Sequence, residues 1–259
     1  MKLYKMFHVK HFLTCILHLS GRSSKKYLKR LMYFFFMCVI IRTKWSSVCK
    51  MQGKFITFEG IDGVGKSTQI QKIAEKLRAL GQDVVLTREP GGTAIAERVR
   101  QIVLDPELRL SVRTEALLFM ASRSEHVEQI IKPALMAGKI VLCDRFCDST
   151  FVYQGLTQGK KVEELTQLRA LNLQATDGIM PDLTVVLDAD PKMLLQRRSE
   201  RGVADRFENK GLAFQQKLRS GFLALAEAEP ERIKVVDAIG DVECVSKKIL
   251  DVVSKILNE

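Results

Sequence analysis

The chain has 259 residues, 46% of them hydrophobic and 27% charged, which suits one globular α/β core and excludes disorder over most of its length. With 16 Gly and 6 Pro it is neither collagen-like nor of low complexity. The net charge of +11 resembles that of a nucleic-acid binder, but residues 1–50 carry all of it, with eight Lys, three Arg and no acid; the balanced remainder has no net field to attract DNA or an anionic membrane.

Residues 1–50 read as a basic N-terminal extension, either disordered or upstream of a true start at Met51. They hold half of the aromatics, the only Trp and three of the four His. Their longest charge-free apolar run, Leu31–Ile41, is shorter than the roughly 20 residues a membrane span needs. A basic tether to a membrane surface is the rival reading. The balanced charge beyond Met51 predicts no nucleic acid as partner, and no membrane unless the extension is native; the expected location is the cytoplasm.

From Met51 onward, five short apolar runs predict strands: Lys54–Phe58, Asp83–Thr87, Lys139–Cys143, Leu183–Leu187 and Arg232–Val236. Each is almost continuously apolar, as in parallel strands covered on both faces. Helical periodicity fills the gaps, for example over Thr68–Leu80 up to Gly81. Strands alternating with helices predict a doubly wound five-stranded α/β sheet of the P-loop NTPase type, forming one domain over 51–259. In such sheets ligands bind beyond the carboxyl ends of the strands. Six Cys without a C-x-x-C pair predict thiols in a reducing compartment rather than a zinc site.

The first strand leads into Gly60, Ile61, Asp62, Gly63, Val64, Gly65, Lys66 and Ser67, a full G-x-x-x-x-G-K-[ST] match that Thr68 follows. Chance supplies about 0.01 such matches in a chain of this length, and the strand-to-helix setting is the one the motif requires. The glycines let backbone N–H groups turn toward phosphate oxygens, and the helix N-terminus adds positive potential. Lys66 then reaches the β- and γ-phosphates, and Ser67 ligates Mg²⁺.

A phosphate loop does not name an acceptor. The later strand ends supply Arg88 and Glu89 in one stretch and Asp144 and Arg145 in another, with Arg100 and Arg123 between. Four arginines in one crevice suit a second phosphate held in line with the donor. Such an acceptor is already ionised near pH 7, its second pKa being about 6, and needs little general base. One Arg taken alone is more often a surface ion pair.

The sequence resembles bacterial thymidylate kinase over 51–259. The motifs that carry the resemblance are FEGIDGVGKST (58–68), TREPGGT (87–93), Arg123 after LLFMAS, DRF-x-DST-x-x-YQG (144–155), PDLTVVLD (181–188) and the RRSERG–DRFE stretch (197–208). The resemblance implies transfer of the γ-phosphoryl group of ATP to dTMP, with Mg²⁺, in a homodimer. It implies that Arg88 and Arg145 bind the dTMP phosphate and that Asp62 faces the 3′-hydroxyl. Phe119 would stack on thymine, Arg123, Thr150 and Gln154 would read the base edge, Tyr153 would pack under the sugar, and Arg100 would line the pocket. Glu89 and Asp144 would hold Mg²⁺ with Ser67, directly or through water. Arg197, Arg198, Arg201 and Arg206 would form a lid, with Arg201 closing over the transferred group. The catalytic set would be Lys66, Arg145, Arg201 and Asp62.

Phe146 stands where the family usually has Tyr or His, so any polar role there is lost and only ring packing remains. His126 is expected to be solvated or capping. The rival functions are a deoxynucleoside kinase, with Glu89 as base, and a nucleotide-binding regulator without turnover.

Overall fold

The computed structural model describes residues 53–194 and 211–257. The extension and the four lid arginines lie outside the described residues. Five strands form one sheet: β1 (Lys54–Glu59), β2 (Val84–Arg88), β3 (Ile140–Asp144), β4 (Leu183–Asp188) and β5 (Ile233–Asp237). Their order is β2-β3-β1-β4-β5 and every pairing is parallel. The register sets Phe58 against Asp144 and Val185 in its two neighbours, and Arg88 against Asp144.

All five strands end one residue later than the apolar pattern alone indicates, and β2, β3 and β5 also begin one residue later. The added residues are Glu59, Arg88, Asp144, Asp188 and Asp237, so charged side chains mark the carboxyl edge where a ligand would sit. The central strands β1, β3 and β4 are buried almost throughout, because both of their faces are covered. Edge strand β5 exposes Lys234 and Val235 in part. Phe55 meets Phe146 edge to face at 4.8 Å between ring centroids, in the middle of this core.

Between the strands run α1 (Lys66–Ala79), α2 (Ala94–Leu104), α3 (Val112–His126), α4 (Lys132–Met136), α5 (Cys147–Tyr153), α6 (Thr166–Ala175), α7 (Gly211–Ala228) and α8 (Val242–Leu257). Thr93 and Ser111 cap α2 and α3 with their hydroxyls, satisfying N–H groups that a helix start leaves open. A π-helical turn, Val127–Ile131, joins α3 to α4. The chain leaves β1 for β2, beyond β3, and later returns to β4 on the other side of β1. The loop after β1 therefore occupies the switch point of the sheet. No helix among the described residues is long and apolar enough to cross a membrane.

Candidate active site

The phosphate loop turns sharply because its glycines permit it. Gly60 has φ 133°, and a Cβ there would lie 2.5 Å from the Leu187 carbonyl oxygen on β4. Gly65 has φ 100° and starts α1. Ile61 and Val64 point into the core and pin the loop down. Lys66 is buried, and its Nζ donates to the carbonyls of Gly60 (3.0 Å) and Ile61 (3.1 Å). Asp62 Oδ1 lies 3.9 Å from it. Burial lowers the Lys66 pKa, with the Arg145 charge acting in the same direction and Asp62 and Asp144 opposing. Thr68 is exposed on the first turn of α1 and faces neither hollow described below.

Ser67 Oγ donates to Asp144 Oδ2 at 3.0 Å. Asp144 Oδ1 is buried and has no hydrogen-bond partner, an arrangement that normally has an explanation in a missing ligand or water. A hydroxyl beside a carboxylate with one unsatisfied oxygen suits a hard divalent cation such as Mg²⁺. Glu89, expected to hold the metal directly or through water, is anchored by the protein. Its Oε2 accepts from Arg123 Nε at 2.8 Å and its Oε1 from His126 Nδ1 at 3.1 Å. Both oxygens are thus engaged by protein donors.

His126 departs from the expectation of a solvated or capping ring. It is fully buried rather than solvated, and its Nε2 lies 2.5 Å from Thr87 Oγ1. It ties the end of β2 to the end of α3 and orients Glu89.

Two hollows open beyond the strand ends. One is lined by Asp62, Gly63, Gly65, Lys66, Ser67, Arg88, Glu89, Arg100, Asp144 and Arg145. The other is lined by Pro90, Leu104, Phe119, Arg123, Phe146, Ser149, Thr150, Tyr153 and Gln154. Asp62, Glu89, Arg100 and Arg145 line both. The first is a charged cradle on the phosphate loop. The second is an aromatic slot with a few polar groups, the usual build of a small-molecule site.

Arg145 sits at the junction in a left-handed backbone conformation, φ 69°, which costs of order 1 kcal/mol for a residue with a Cβ and persists where the surroundings impose it. Its N–H donates to Phe58 O at 3.0 Å. Its guanidinium reaches Asp62 Oδ1 (2.6 Å) and Ser149 Oγ (3.1 Å) and lies 5.4 Å from the Tyr153 ring centroid. Burial works against this charge, but Tyr153, Asp62 and Glu59 outweigh it and raise its pKa well above the ordinary range. Tyr153 Oη donates to Asp62 Oδ2 at 3.4 Å.

Arg123 is 1% exposed. Besides Glu89, it donates to Asn172 Oδ1 (3.0 Å) and Thr150 Oγ1 (3.1 Å), and it lies 5.0 Å from the Phe146 ring centroid. Phe146 thus packs, as expected for a ring without a polar group. At the outer edge, Arg88 pairs with Glu97 at 2.8 Å and Arg100 donates to Pro90 O at 3.0 Å. Gln154 Nε2 donates to Glu115 Oε1 at 2.6 Å.

Sequence reasoning missed Glu59. Fully buried at the end of β1, it accepts from Phe146 N (2.8 Å), Ser149 N (3.1 Å) and Ser149 Oγ (2.6 Å). It therefore caps α5, which carries Thr150 and Tyr153. Burial pushes its pKa up to about 7, against the lowering influence of Arg145. Burial likewise pushes the Cys143 and Cys147 thiols well up, which makes them inert.

A profile of the thymidylate kinase family matches residues 58–249. The thymidylate kinase of Symbiobacterium thermophilum is 51% identical over 204 residues, covering 78% of this chain and 94% of that protein. The thymidylate kinase of Ruegeria pomeroyi is 48% identical over 209 residues, 80% of this chain and 97% of its own. The crystal structure of thymidylate kinase from Ehrlichia chaffeensis superposes with a TM-score of 0.62 at 38% identity, covering 78% of this chain and 98% of that one. With a phosphate loop opening on an arginine-lined double hollow, and with these similarities spanning it, the chain belongs to the thymidylate kinase family.

Proposed function

We propose that this chain is an ATP-dependent kinase that transfers the γ-phosphoryl group of ATP to dTMP, giving dTDP and ADP for DNA precursor synthesis. The observation that carries this reading is the pair of hollows joined at Asp62, Glu89, Arg100 and Arg145. ATP phosphates occupy the loop cradle. The base of dTMP occupies the aromatic slot, with Phe119 on its face and Arg123, Thr150 and Gln154 along its edge. Its phosphate lies between, at Arg88, Arg100 and Arg145.

Catalysis is positioning and charge neutralisation. Lys66 exchanges the Gly60 and Ile61 carbonyls for phosphate oxygens. Arg145 is held at the junction by Asp62 and Ser149, where it can contact both phosphates. Asp62 also faces the sugar 3′-hydroxyl, and Tyr153 packs below the ring. Ser67 and Asp144, with Glu89 directly or through water, would hold Mg²⁺, which would supply positive charge to the phosphates when bound. Arg201, among the lid residues Arg197, Arg198 and Arg206, closes over the transferred group. The acceptor phosphate needs no strong base. Glu89, the base required by the nucleoside kinase alternative, is engaged by Arg123 and His126.

The kinase domain spans 51–259, preceded by a basic extension at 1–50. The protein works in the cytoplasm without nucleic acid, as a homodimer. The exposed apolar side chains of Ile95 and Ile102 on α2 and Leu117 on α3 suit such an interface. A coupled ADP-release assay on the full chain, with ATP, Mg²⁺ and either dTMP or thymidine, tests the reading. Turnover with dTMP is expected. Turnover with thymidine alone means a nucleoside kinase, and turnover with neither means a regulator.

A further inference from the structure

Glu115 lies outside both hollows, yet it is buried and holds a group that lines one of them. It sits on the first turn of α3, where its N–H is taken by the Ser111 carbonyl at 2.9 Å. Gln154 is the residue at the carboxyl end of α5, 3% exposed. Their side chains meet at 2.6 Å, Gln154 Nε2 to Glu115 Oε1. A carboxylate only accepts hydrogen bonds, so the amide nitrogen must face it. The amide oxygen of Gln154 is then the atom left for the slot. No hydrogen bond occupies that oxygen among the described residues, and it is not among the sealed, unsatisfied atoms.

The adjoining donor is fixed as well. Arg123 is anchored by Glu89, Asn172 and Thr150, and it also lines the slot. The slot thus presents a donor beside an acceptor. A 4-keto pyrimidine offers the complement, an acceptor at O4 and a donor at N3. Cytosine offers the reverse, a donor at N4 and an acceptor at N3, and meets two mismatches.

We infer that Glu115 is a specificity-positioning residue: by accepting from Gln154 Nε2 it locks the amide so that Oε1 faces the base, which admits 4-keto pyrimidines and rejects cytosine. A side-chain amide without that lock can turn over and offer a donor instead. One of the two mismatches with cytosine would then vanish. Sites that hydrogen-bond a base edge discriminate strongly because the wrong edge leaves buried polar groups unpaired.

The inference rests on the dTMP kinase reading, and the test separates the two. Steady-state kcat and KM are measured for dTMP, dUMP and dCMP with the full chain as wild type, as Glu115→Gln, and as the exchanged pair Glu115→Gln with Gln154→Glu. In Glu115→Gln either amide orientation can be satisfied. The dTMP:dCMP ratio of kcat/KM is expected to fall by about tenfold or more, mainly through KM. The dTMP:dUMP ratio should stay within twofold, since uracil offers the same edge as thymine. In the exchanged pair the carboxylate moves to position 154, accepts from the new amide and still presents an acceptor to the base. Discrimination against dCMP should return there.

If wild type uses dTMP and Glu115→Gln keeps the wild-type dTMP:dCMP ratio, the inference is overturned. A uniform loss on all three acceptors also overturns it, because that is what simple loosening of the fold gives. If Glu115→Gln does not fold, the exchanged pair decides: wild-type discrimination supports the lock, and its loss contradicts it. A wild type inactive on dTMP overturns the functional reading instead.

Discussion

Replacing Glu59 by Gln is expected to change how stability depends on pH. Glu59 ends β1, is fully buried, and caps α5 through two backbone N–H groups and the Ser149 hydroxyl. Burial raises its pKa from 4.5 to about 7, although Arg145 Nη1, 3.8 Å away, pulls the other way. A carboxyl whose folded-state value is raised stabilises the native state fully only below its unfolded value. That contribution fades as pH climbs through the folded value. The gap between 4.5 and about 7, at about 1.36 kcal/mol per pH unit, amounts to about 3 kcal/mol. Gln keeps an acceptor for the two N–H groups and never ionises. The unfolding free energy of the variant relative to wild type should therefore rise by about 3 kcal/mol between pH 4.5 and pH 7.5. Urea unfolding of both proteins at one-unit steps of pH measures it. Parallel curves for the two proteins would refute the burial argument.

Arg145→Ala should lower kcat by ~10²-fold or more, because its charge acts on the phosphates in the transition state, and should also lower stability, since Asp62 loses its 2.6 Å partner and buried Glu59 its neighbouring charge; near-normal turnover would remove it from the mechanism. Arg123→Met should lower stability by about 3–5 kcal/mol, since it leaves the buried Glu89 carboxylate without its cation, with only His126 Nδ1 as donor; an unchanged urea midpoint would show that the Arg123–Glu89 pair carries no net stability. Chelation with EDTA should abolish phosphoryl transfer and added Mg²⁺ restore it, with melting of the nucleotide-free protein unaffected; EDTA-resistant turnover would remove the metal from Ser67 and Asp144.

The phosphate loop was legible because its chemistry is local: Gly60 and Lys66 interact within six residues of each other. The strands were legible from their apolar runs, each ending one residue early, since Glu59, Asp144 and their equivalents are polar yet still hydrogen-bonded in the ladder. What pattern reading could not supply is pairing across the fold. Glu89 finds Arg123 and His126 across 34 and 37 residues, and Gln154 finds Glu115 across 39. A lone His at the end of a helix carries no sign of burial, so the expectation of a solvated or capping His126 failed. Glu59 was quoted within its motif without a role, because its three donors lie 87 to 90 residues away.

The most direct measurement of the central claim follows the transferred group itself. The full chain is incubated with γ-labelled ATP, Mg²⁺ and dTMP, and the labelled products are separated. Label is expected in the β-phosphate of dTDP, in step with ADP formation. Label found only in inorganic phosphate, or none released from ATP, would contradict it.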